Sequence, residues 1–221
     1  MKNNSENSKK KPTIIIGSGA HANVLAEVLV KCGRQILGFT DQFEQIGKKF
    51  KNIKVLGRDD IILKYDTSEI ELVNGIAGLN TKDLRQNLAK SFQDKGFKFA
   101  NVIHPSAIIS DSVVLDDGVQ IMAGVILQND VHIGFSSIIN TGAIIDHDCI
   151  IKNNCNIAPG VVLNGNVIIG ERTHLGTGTM VIENKKIGKD CIIAAGSVIN
   201  KDIPSNTKLI QSKTNKTEVL V

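Results

Sequence analysis

Residues 139–151 read Ile-Asn-Thr-Gly-Ala-Ile-Ile-Asp-His-Asp-Cys-Ile-Ile, and the residues at positions 139, 145 and 151 are all isoleucine. An aliphatic side chain keeps this six-residue spacing from Ile103 to Ile199 without interruption. Helices repeat after about 3.6 residues and strands after about 2, so neither element alone produces the pattern. The hexad predicts short strands wound into a solenoid, with one large side chain of each hexad in the core. The series consists of Ile103, Ile109, Leu115, Ile121, Leu127, Ile133, Ile139, Ile145, Ile151, Ile157, Leu163, Ile169, Leu175, Val181, Ile187, Ile193 and Ile199.

A solenoid with three faces returns to the same face after three hexads, so residues 18 positions apart are predicted to stack. Four residues after each inward aliphatic, a mostly small residue such as Ala107, Ala143 or Cys149 occupies an edge of the prism. A β-sandwich would instead space its strands irregularly. We assign the coil to residues 102–204 and expect a C-terminal tail at residues 205–221.

The preceding residues 12–101 carry the pattern of a small α/β domain. A buried strand at Thr13–Ile16 runs into a glycine loop at residues 17–22 and then into a helix that ends near Gly33. Alternation of strands with helices predicts a small Rossmann-like parallel sheet. The remaining elements are expected as strands at 35–39, 54–56 and 70–75 and a helix from 81 to about 95.

The glycine loop is a candidate phosphate cradle. Gly17 and Gly19 let the backbone approach a ligand, and the following helix presents its N-terminus to anionic oxygens. Ala22 replaces the third glycine of the dinucleotide fingerprint. Asp41 ends the second strand, where nucleotide-binding sheets grip a ribose or a base. A tight turn and a solvated loop carboxylate explain the same residues, so both interpretations stand at this stage.

His147 is the candidate catalytic residue of the coil. It lies between Asp146 and Asp148, and Gly165 is its neighbour one coil away. A carboxylate beside an imidazole can accept a hydrogen bond from Nδ1–H, fix the tautomer and raise the basicity of Nε2, which a general base needs. A surface histidine in a polar corner is the alternative.

Composition and charge restrict the function classes. The net charge is +4 and only 4% of the residues are aromatic, so no basic face with interleaved aromatics predicts nucleic-acid binding. Residues 1–11 hold much of the positive charge and are expected to form a disordered basic tail. No apolar run is long enough to span a bilayer, and we expect no secretory signal.

Histidines and cysteines are also informative. His132, His147 and His174 occupy different positions within their hexads, so we expect no metal site. The four cysteines lack C-x-x-C spacing, which favours reduced thiols and a cytoplasmic protein.

These residues resemble the motifs of bacterial sugar acyltransferases built from hexapeptide repeats. That family includes UDP-4-amino-sugar N-acetyltransferases of bacillosamine synthesis, perosamine N-acetyltransferases and sialic acid O-acetyltransferases. The resemblance covers residues 12–204. It rests on Ile15-Ile-Gly-Ser-Gly-Ala-His-Ala22, Asn140-Thr-Gly-Ala-Ile-Ile-Asp-His-Asp-Cys149, Leu163-Asn-Gly-Asn-Val-Ile-Ile-Gly170 and Ile193-Ala-Ala-Gly-Ser-Val-Ile-Asn-Lys-Asp-Ile-Pro204.

The resemblance implies a left-handed parallel β-helix, a homotrimer, and active sites in clefts between neighbouring coils. It implies acetyl-CoA as the acyl donor and a nucleotide sugar held between the α/β domain and the coil. His147 is then the general base, and Asp148 orients it. The implied substrate contacts are Gly17, Gly19, His21, Asp41 and Asn140. The implied contacts with the acetyl donor are Asn156, where relatives often carry histidine, and the Gly165, Gly176 and Ala194 region, whose backbone amides are expected to hold the thioester and pantetheine.

The expected function is acetyl transfer from acetyl-CoA to the amino group of a nucleotide-linked 4-amino-4,6-dideoxy sugar, in bacterial surface glycan or glycoprotein sugar synthesis. One alternative is O-acetylation of sialic acid or a related sugar hydroxyl, because the same base serves both acceptors. A remoter alternative is a trimeric scaffold without catalysis.

Overall fold

The computed structural model describes residues 11–43, 47, 49–50, 52–77 and 82–210. Residues 1–10 and 211–221, which make up most of the two predicted tails, lie outside the described residues. The described chain has two parts, an α/β domain and a coil of short strands.

The α/β domain contains strands at Thr13–Ile16 (β1), Ile36–Thr40 (β2), Lys49–Phe50 (β3), Ile53–Gly57 (β4) and Glu71–Asn74 (β5), helices at Ala20–Lys31 (α1) and Lys82–Gln93 (α2), and a 3-10 helix at Asp59–Lys64. The sheet order is β3-β4-β2-β1-β5. Four strands run parallel, which confirms the predicted sheet, while β3 pairs antiparallel with β4 at the edge. Strand β3 was not predicted, because its two residues carry no periodicity.

Both faces of this sheet are covered, which explains why β1 is apolar throughout. Ile15 packs with Leu25 and Leu29 of α1 on one face. Ile14 and Ile16 pack on the other face, in a cluster that includes Ala89 and Phe92 of α2. Strands that are buried on both faces read as continuous aliphatic runs, as parallel sheets require.

The coil consists of two-residue strands at Val102–Ile103 (β6), Ile108–Ile109 (β7), Val114–Leu115 (β8), Gln120–Ile121 (β9), Ile126–Leu127 (β10), His132–Ile133 (β11), Ile138–Ile139 (β12), Ile144–Ile145 (β13), Ile150–Ile151 (β14), Asn156–Ile157 (β15), Val162–Leu163 (β16), Ile168–Ile169 (β17), His174–Leu175 (β18), Met180–Val181 (β19), Lys186–Ile187 (β20), Ile192–Ile193 (β21), Val198–Ile199 (β22) and Lys208–Leu209 (β23). They form three parallel sheets of seven, six and five strands. The predicted stacking at 18-residue intervals is confirmed, for example between Ile139 and Ile157. The coil is therefore a parallel β-helix of about six turns.

We number the faces in the order in which the chain visits them. Face 1 holds β6, β9, β12, β15, β18, β21 and β23; face 2 holds β7, β10, β13, β16, β19 and β22; face 3 holds β8, β11, β14, β17 and β20. The chain turns from face 1 to face 2 at corner 1–2, and corners 2–3 and 3–1 follow. Because the cross-section is a triangle, corner 2–3 lies opposite face 1.

One residue of each corner from Gly118 to Gly196 has a positive φ, again at intervals of six. Glycine, asparagine and aspartate hold most of these positions because they tolerate the left-handed conformation. Ser136 and Arg172 hold two others. The sequence analysis did not identify this second periodicity, which fixes the direction of each turn.

The coil extends past the predicted boundary at residue 204. Leu209 of β23 pairs with Ile193, and Ile203 pairs with Ile187, each at an interval of 16 residues instead of 18. The last turn is thus two residues shorter, so the regular hexad ends although the coil continues. Residues 205–210 belong to the coil and not to a tail.

The α/β domain packs on the N-terminal turns of face 1 and on the two corners that flank this face, corner 1–2 and corner 3–1. Met122 of the coil joins the core beneath α1. Phe135 meets Phe99 edge to face, with ring centroids 6.0 Å apart. Arg85 of α2 donates from Nη2 to the carbonyl oxygen of Ser136 at 3.0 Å. The domain therefore lies away from corner 2–3.

Candidate active site

His147 and Asp148 form a hydrogen-bonded pair at corner 2–3. His147 Nδ1 lies 2.8 Å from Asp148 Oδ2. A carboxylate accepts, so Nδ1 carries the proton and Nε2 keeps its lone pair. Asp146 accepts a hydrogen bond from the backbone N–H of His147 at 2.8 Å. The three residues predicted from the Asp-His-Asp sequence are thus connected, and Asp148 is the ring partner.

The two carboxylates raise the pKa of His147. The hydrogen bond to Asp148 is the largest cause, followed by the charge of Asp146. The imidazole is about half exposed, so solvent and substrates reach it. A raised pKa gives Nε2 a greater affinity for a proton than an isolated histidine has, which suits a general base.

Gly165 supplies the space that the imidazole fills. A methyl group at Gly165 would lie 2.5 Å from Cε1 and 2.6 Å from Nε2 of His147, so only glycine permits this ring position. The backbone N–H of Gly165 has no hydrogen-bond partner among the described residues, whereas the N–H of Asn166 donates to the carbonyl oxygen of His147 at 2.9 Å. A free N–H therefore lies directly beside the base.

Asp148 also serves as the turn residue of its corner. Its φ is +59°, one of the regularly spaced left-handed positions. Its N–H donates to the carbonyl oxygen of Asn129 at 3.1 Å in the preceding coil. Aspartate tolerates this conformation better than most residues, so one side chain satisfies the turn and holds the imidazole.

A second feature is a cavity of about 750 Å³ at the carboxyl ends of β1 and β2. Its lining includes the glycine loop, the first residues of α1, Asp41 and part of α2. Gly17, Gly19 and His21 all line it, so the structure brings together the residues expected from the loop motif. Gly19 is the N-cap of α1, with no side-chain cap and no acidic residue in the first turn. The first N–H groups of α1 have no intrahelical acceptor and favour an anion.

Asp41 holds the glycine loop in place. Its Oδ2 accepts hydrogen bonds from the N–H of Ser18 at 3.0 Å and from Ser18 Oγ at 2.6 Å. Its Oδ1 accepts from the N–H of Phe43 at 2.9 Å. Asp41 lines the cavity as predicted, but its carboxylate is already shared with the loop. Its expected contact with a base stays a prediction.

The remaining predicted site residues lie at separate positions on the coil, and a single copy of the chain does not bring them together. Asn140, Gly176 and Ala194 lie at corner 1–2, and Asn156 lies on face 1. Gly165 lies with His147 at corner 2–3, so face 2 separates the two groups. Asn140 Oδ1 accepts from the N–H of Thr141 at 2.7 Å, within its own corner.

The expectation that the backbone N–H groups of Gly176 and Ala194 hold the acetyl donor requires a correction. Their N–H groups donate to Ile193 and Leu209 in the next coil, at 2.9 and 3.0 Å. They cannot also hold a thioester, because the residue directly after each inward aliphatic is bonded into the sheet. The N–H groups one position later, at Thr177 and Ala195, have no partner among the described residues. At corner 1–2 the N–H groups available to a ligand are therefore those of Thr177 and Ala195, one residue after the predicted ones.

Several cavity and interface residues escaped the sequence analysis. Phe43 and Asp59 line the cavity, and the Phe43 side chain is 97% exposed. Gln120 and Arg85 connect the α/β domain to the coil. The only available signal was Gln120 itself, a buried polar residue directly before inward Ile121.

The described residues contain neither a cluster suited to a metal ion nor a helix suited to a membrane. Within the described ranges, no group of three or more His, Cys, Asp or Glu side chains is placed to hold a metal ion. Over the same part of the chain, no helix is long and apolar enough to cross a membrane.

Comparison with known proteins agrees with both parts of the fold. The family profile described as "PglD N-terminal domain" matches residues 13–92. The profile described as "Bacterial transferase hexapeptide (six repeats)" matches residues 166–201.

Solved structures extend the likeness to nearly the whole chain. A histidine-to-asparagine variant of perosamine N-acetyltransferase from Caulobacter crescentus, in complex with CoA and GDP-perosamine, is 37% identical; the match covers 89% of this chain and 92% of that chain, with a TM-score of 0.83. The acetyltransferase domain of PglB from Neisseria gonorrhoeae, in complex with acetyl coenzyme A, is 28% identical over 90% of this chain and 95% of that chain, with a TM-score of 0.84. WeeI from Acinetobacter baumannii shares the fold at 20% identity and a TM-score of 0.81, over 91% of this chain and 97% of its own. Since 37% identity extends over 89% of the chain, the protein belongs to the family of bacterial sugar acetyltransferases with hexapeptide repeats.

Proposed function

We propose that the protein transfers the acetyl group of acetyl-CoA to the amino group of a nucleotide-linked 4-amino-4,6-dideoxy sugar, in bacterial surface glycan or glycoprotein sugar synthesis. The observation that carries the proposal is the His147–Asp148 pair packed on Gly165, beside a free N–H. The GDP-perosamine complex of the Caulobacter enzyme supports an amino sugar as the acceptor.

The chemistry follows from the two polar groups at corner 2–3. His147 Nε2 takes a proton from the acceptor amine as its nitrogen attacks the thioester carbonyl carbon. The carbonyl oxygen gains the negative charge, and the N–H of Gly165 is the donor that we propose stabilises it. When the tetrahedral intermediate collapses, the carbon–sulfur bond breaks, and protonated His147 returns the proton to the CoA thiolate. Asp148 accepts a hydrogen bond from Nδ1–H, which holds the neutral ring in the tautomer whose Nε2 carries the lone pair, and it stabilises the imidazolium that forms.

Acetyl-CoA is proposed to lie along the coil in the cleft where corner 2–3 of one copy of the chain meets corner 1–2 of the next copy. Gly165 at corner 2–3 and the free N–H groups of Thr177 and Ala195 at corner 1–2 are suitable donors for the thioester and the pantetheine amides. Asn156, on face 1, stays a predicted contact with the acetyl donor. CoA complexes of the Caulobacter and Neisseria proteins support this donor.

A homotrimer would bring the separated groups together. The outer column of face 2 is apolar throughout and includes the exposed residues Ile108, Ile144, Met180 and Val198. An apolar stripe of this kind marks an interface. In a ring of three copies with face 2 turned inward, corner 2–3 of one copy meets corner 1–2 of the next. His147 of one copy would then approach the α/β domain and Asn140 of its neighbour.

The cavity of the α/β domain is proposed to hold the nucleotide. The N–H groups at the start of α1 suit a pyrophosphate, and the exposed Phe43 ring at the cavity suits stacking with a base. Nucleotide sugars and acetyl-CoA are metabolites of the cytoplasm, so we propose a cytoplasmic location. All four cysteines are free, which agrees with a reducing compartment.

The decisive experiment is an acetylation screen followed by mass spectrometry. UDP-, GDP- and dTDP-linked 4-amino-4,6-dideoxy sugars are each incubated with acetyl-CoA and the protein. The matched controls carry a hydroxyl in place of the amine, together with free sialic acid. Acetylation of an amino sugar and not of its hydroxyl analogue supports the proposal. Acetylation of hydroxyl acceptors alone would establish an O-acetyltransferase, and no acetyl-CoA binding by calorimetry would indicate a scaffold.

A further inference from the structure

The cavity histidine, His21, has its hydrogen bonding fixed by the coil. His21 Nε2 lies 2.7 Å from Gln120 Oε1, and Gln120 Nε2 lies 2.8 Å from the carbonyl oxygen of Asn74. A backbone carbonyl can only accept, so the NH₂ group of Gln120 must face Asn74. The amide oxygen of Gln120 therefore faces His21. An amide oxygen also only accepts, so His21 Nε2 must carry a proton.

The surroundings oppose a second proton on His21. Arg85 is 6% exposed and donates to the carbonyl oxygens of Asn74, Ile76 and Ser136. No carboxylate of the described residues forms an ion pair with it. Burial is the main cause that lowers the pKa of His21 to about 4; the hydrogen bond to Gln120 acts in the other direction, and the charge of Arg85 lowers it further.

The charged groups on the other elements do not change this result. Asp41 and Asp59 line the same cavity. Asp41 accepts from Ser18 and Phe43, and Asp59 accepts from Thr40 Oγ1 at 2.5 Å and from Gln42 Nε2 at 2.8 Å. Neither carboxylate is among the causes that shift the pKa of His21, whereas Gln120 and Arg85 are.

We propose that Gln120 is a positioning residue that holds His21 as the uncharged Nε2–H tautomer, so that Nδ1 serves as a hydrogen-bond acceptor in the cavity. The group it recognises is a donor: a hydroxyl, an amide N–H or the amine of the sugar. A phosphate oxygen is excluded because it offers another lone pair to Nδ1. The identity of the ligand rests on the proposed function, whereas the tautomer does not.

This assignment orders the ligand within the cavity. The N–H groups of Gly19, Ala20 and His21 at the start of α1 serve the anionic oxygens, because they are donors. The imidazole lies on the side that faces the coil, since its Nε2 contacts Gln120. Pyrophosphate and sugar therefore follow one another from the helix terminus toward the coil, and a one-residue change in the coil alters sugar recognition.

The tautomer can be measured without any ligand. Nitrogen NMR of ¹⁵N-histidine-labelled protein, with His21→Asn for assignment, should show a neutral Nε2–H ring at pH 7 that titrates well below 6.5. In Gln120→Met the ring should populate both tautomers, whereas Gln93→Met, an exposed glutamine of α2, should leave it unchanged. An Nδ1–H ring, or a pKa near the ordinary value, would overturn the proposal.

Binding then identifies the recognised group. In Gln120→Met the KM for the nucleotide sugar should rise about three- to tenfold, as expected for one weakened hydrogen bond, while the KM for acetyl-CoA stays within about twofold. Gln120→Glu should favour the imidazolium, so its KM for the nucleotide sugar should fall as the pH rises. The affinity for UDP or GDP alone should not improve in that variant. Tighter nucleotide binding at low pH would reveal a phosphate contact and overturn the proposal.

The two proposals fail in different ways. If no nucleotide or nucleotide sugar binds, the proposed function and the ligand assignment at Nδ1 both fail, although the tautomer measured by NMR stands. If nucleotide sugars bind and are acetylated but both KM values change together in Gln120→Met, only the role of Gln120 fails.

Discussion

Two histidines with opposite surroundings lie at the two candidate sites, His21 in the cavity of the α/β domain and His147 at corner 2–3 of the coil. His21 is largely buried beside a cationic guanidinium, and burial lowers its pKa to about 4. His147 is half exposed between two carboxylates, which raise its pKa. Each has one ring nitrogen bonded to a neighbouring side chain, but Gln120 is neutral and Asp148 is charged. The difference supports the proposed roles, in which His21 recognises a ligand without titrating and His147 moves protons.

The largest expected effect comes from removing the side chain of His147, which tests its role as the base separately from the role of His21. His147→Ala should reduce kcat by about 10² to 10⁴, the range that general base catalysis contributes. Both KM values should change little, because the side chain acts on the reacting proton. Steady-state kinetics with a saturating nucleotide sugar measures this, and sedimentation shows whether the assembly persists. A rate within about twofold of the original enzyme would remove His147 from the mechanism.

The second effect tests the buried histidine through stability. Its folded pKa of about 4 lies below the ordinary 6.5, so the unfolded chain binds the proton more readily. Stability is therefore complete above pH 6.5 and is lost as the pH falls toward 4. At about 1.4 kcal/mol per pH unit, the loss amounts to about 3 kcal/mol.

His21→Gln provides the matched control, because glutamine can still donate to Gln120 but does not titrate. Denaturant unfolding of both proteins between pH 4 and 7, at one protein concentration, gives the difference directly. Parallel curves for the two proteins would show that His21 binds a proton as readily in the folded protein as in the unfolded chain, which would contradict the lowered pKa.

The third effect concerns the surface on which the catalytic ring rests. Gly165→Ala places a methyl group within 2.5 Å of His147 Cε1, so the ring must move away from the free N–H of Gly165. We expect kcat to fall by about ten- to a hundredfold, as misplacement of a catalytic group does. In a His147→Ala background the same change should cost nothing further. An additive loss would instead indicate that Gly165 acts through the coil and not through the ring.

The sequence predicted the repeat more fully than the site because the two rest on different kinds of information. Ile139 and Ile157 reveal the coil, since one inward aliphatic per hexad is a local pattern. The proximity of Gly165 to the Asp-His-Asp sequence could also be predicted, because residues about 18 positions apart lie next to each other in adjacent coils. The sequence could not predict the contacts of Gln120, Arg85 and Ser136, because these contacts depend on how the α/β domain packs on face 1. Likewise, Asn140 and His147 are separated because they lie at different corners of the coil. The hexad alone does not show which faces or corners bind a ligand.

The smallest effect distinguishes the two carboxylates beside the base. Asp148→Asn preserves the turn, since asparagine holds the same left-handed position at Asn154, Asn166 and Asn184. The amide no longer stabilises the imidazolium, so kcat should fall by about tenfold and the pKa of His147 should decrease. A base works unprotonated, and its rate rises as the pH passes its pKa; the acidic limb of the rate profile should therefore move to lower pH in Asp148→Asn. Asp146→Asn should move it less, because Asp146 acts on the ring through its charge and bonds only the backbone N–H. A larger displacement in Asp146→Asn would make Asp146 the orienting partner and leave Asp148 as the turn residue alone.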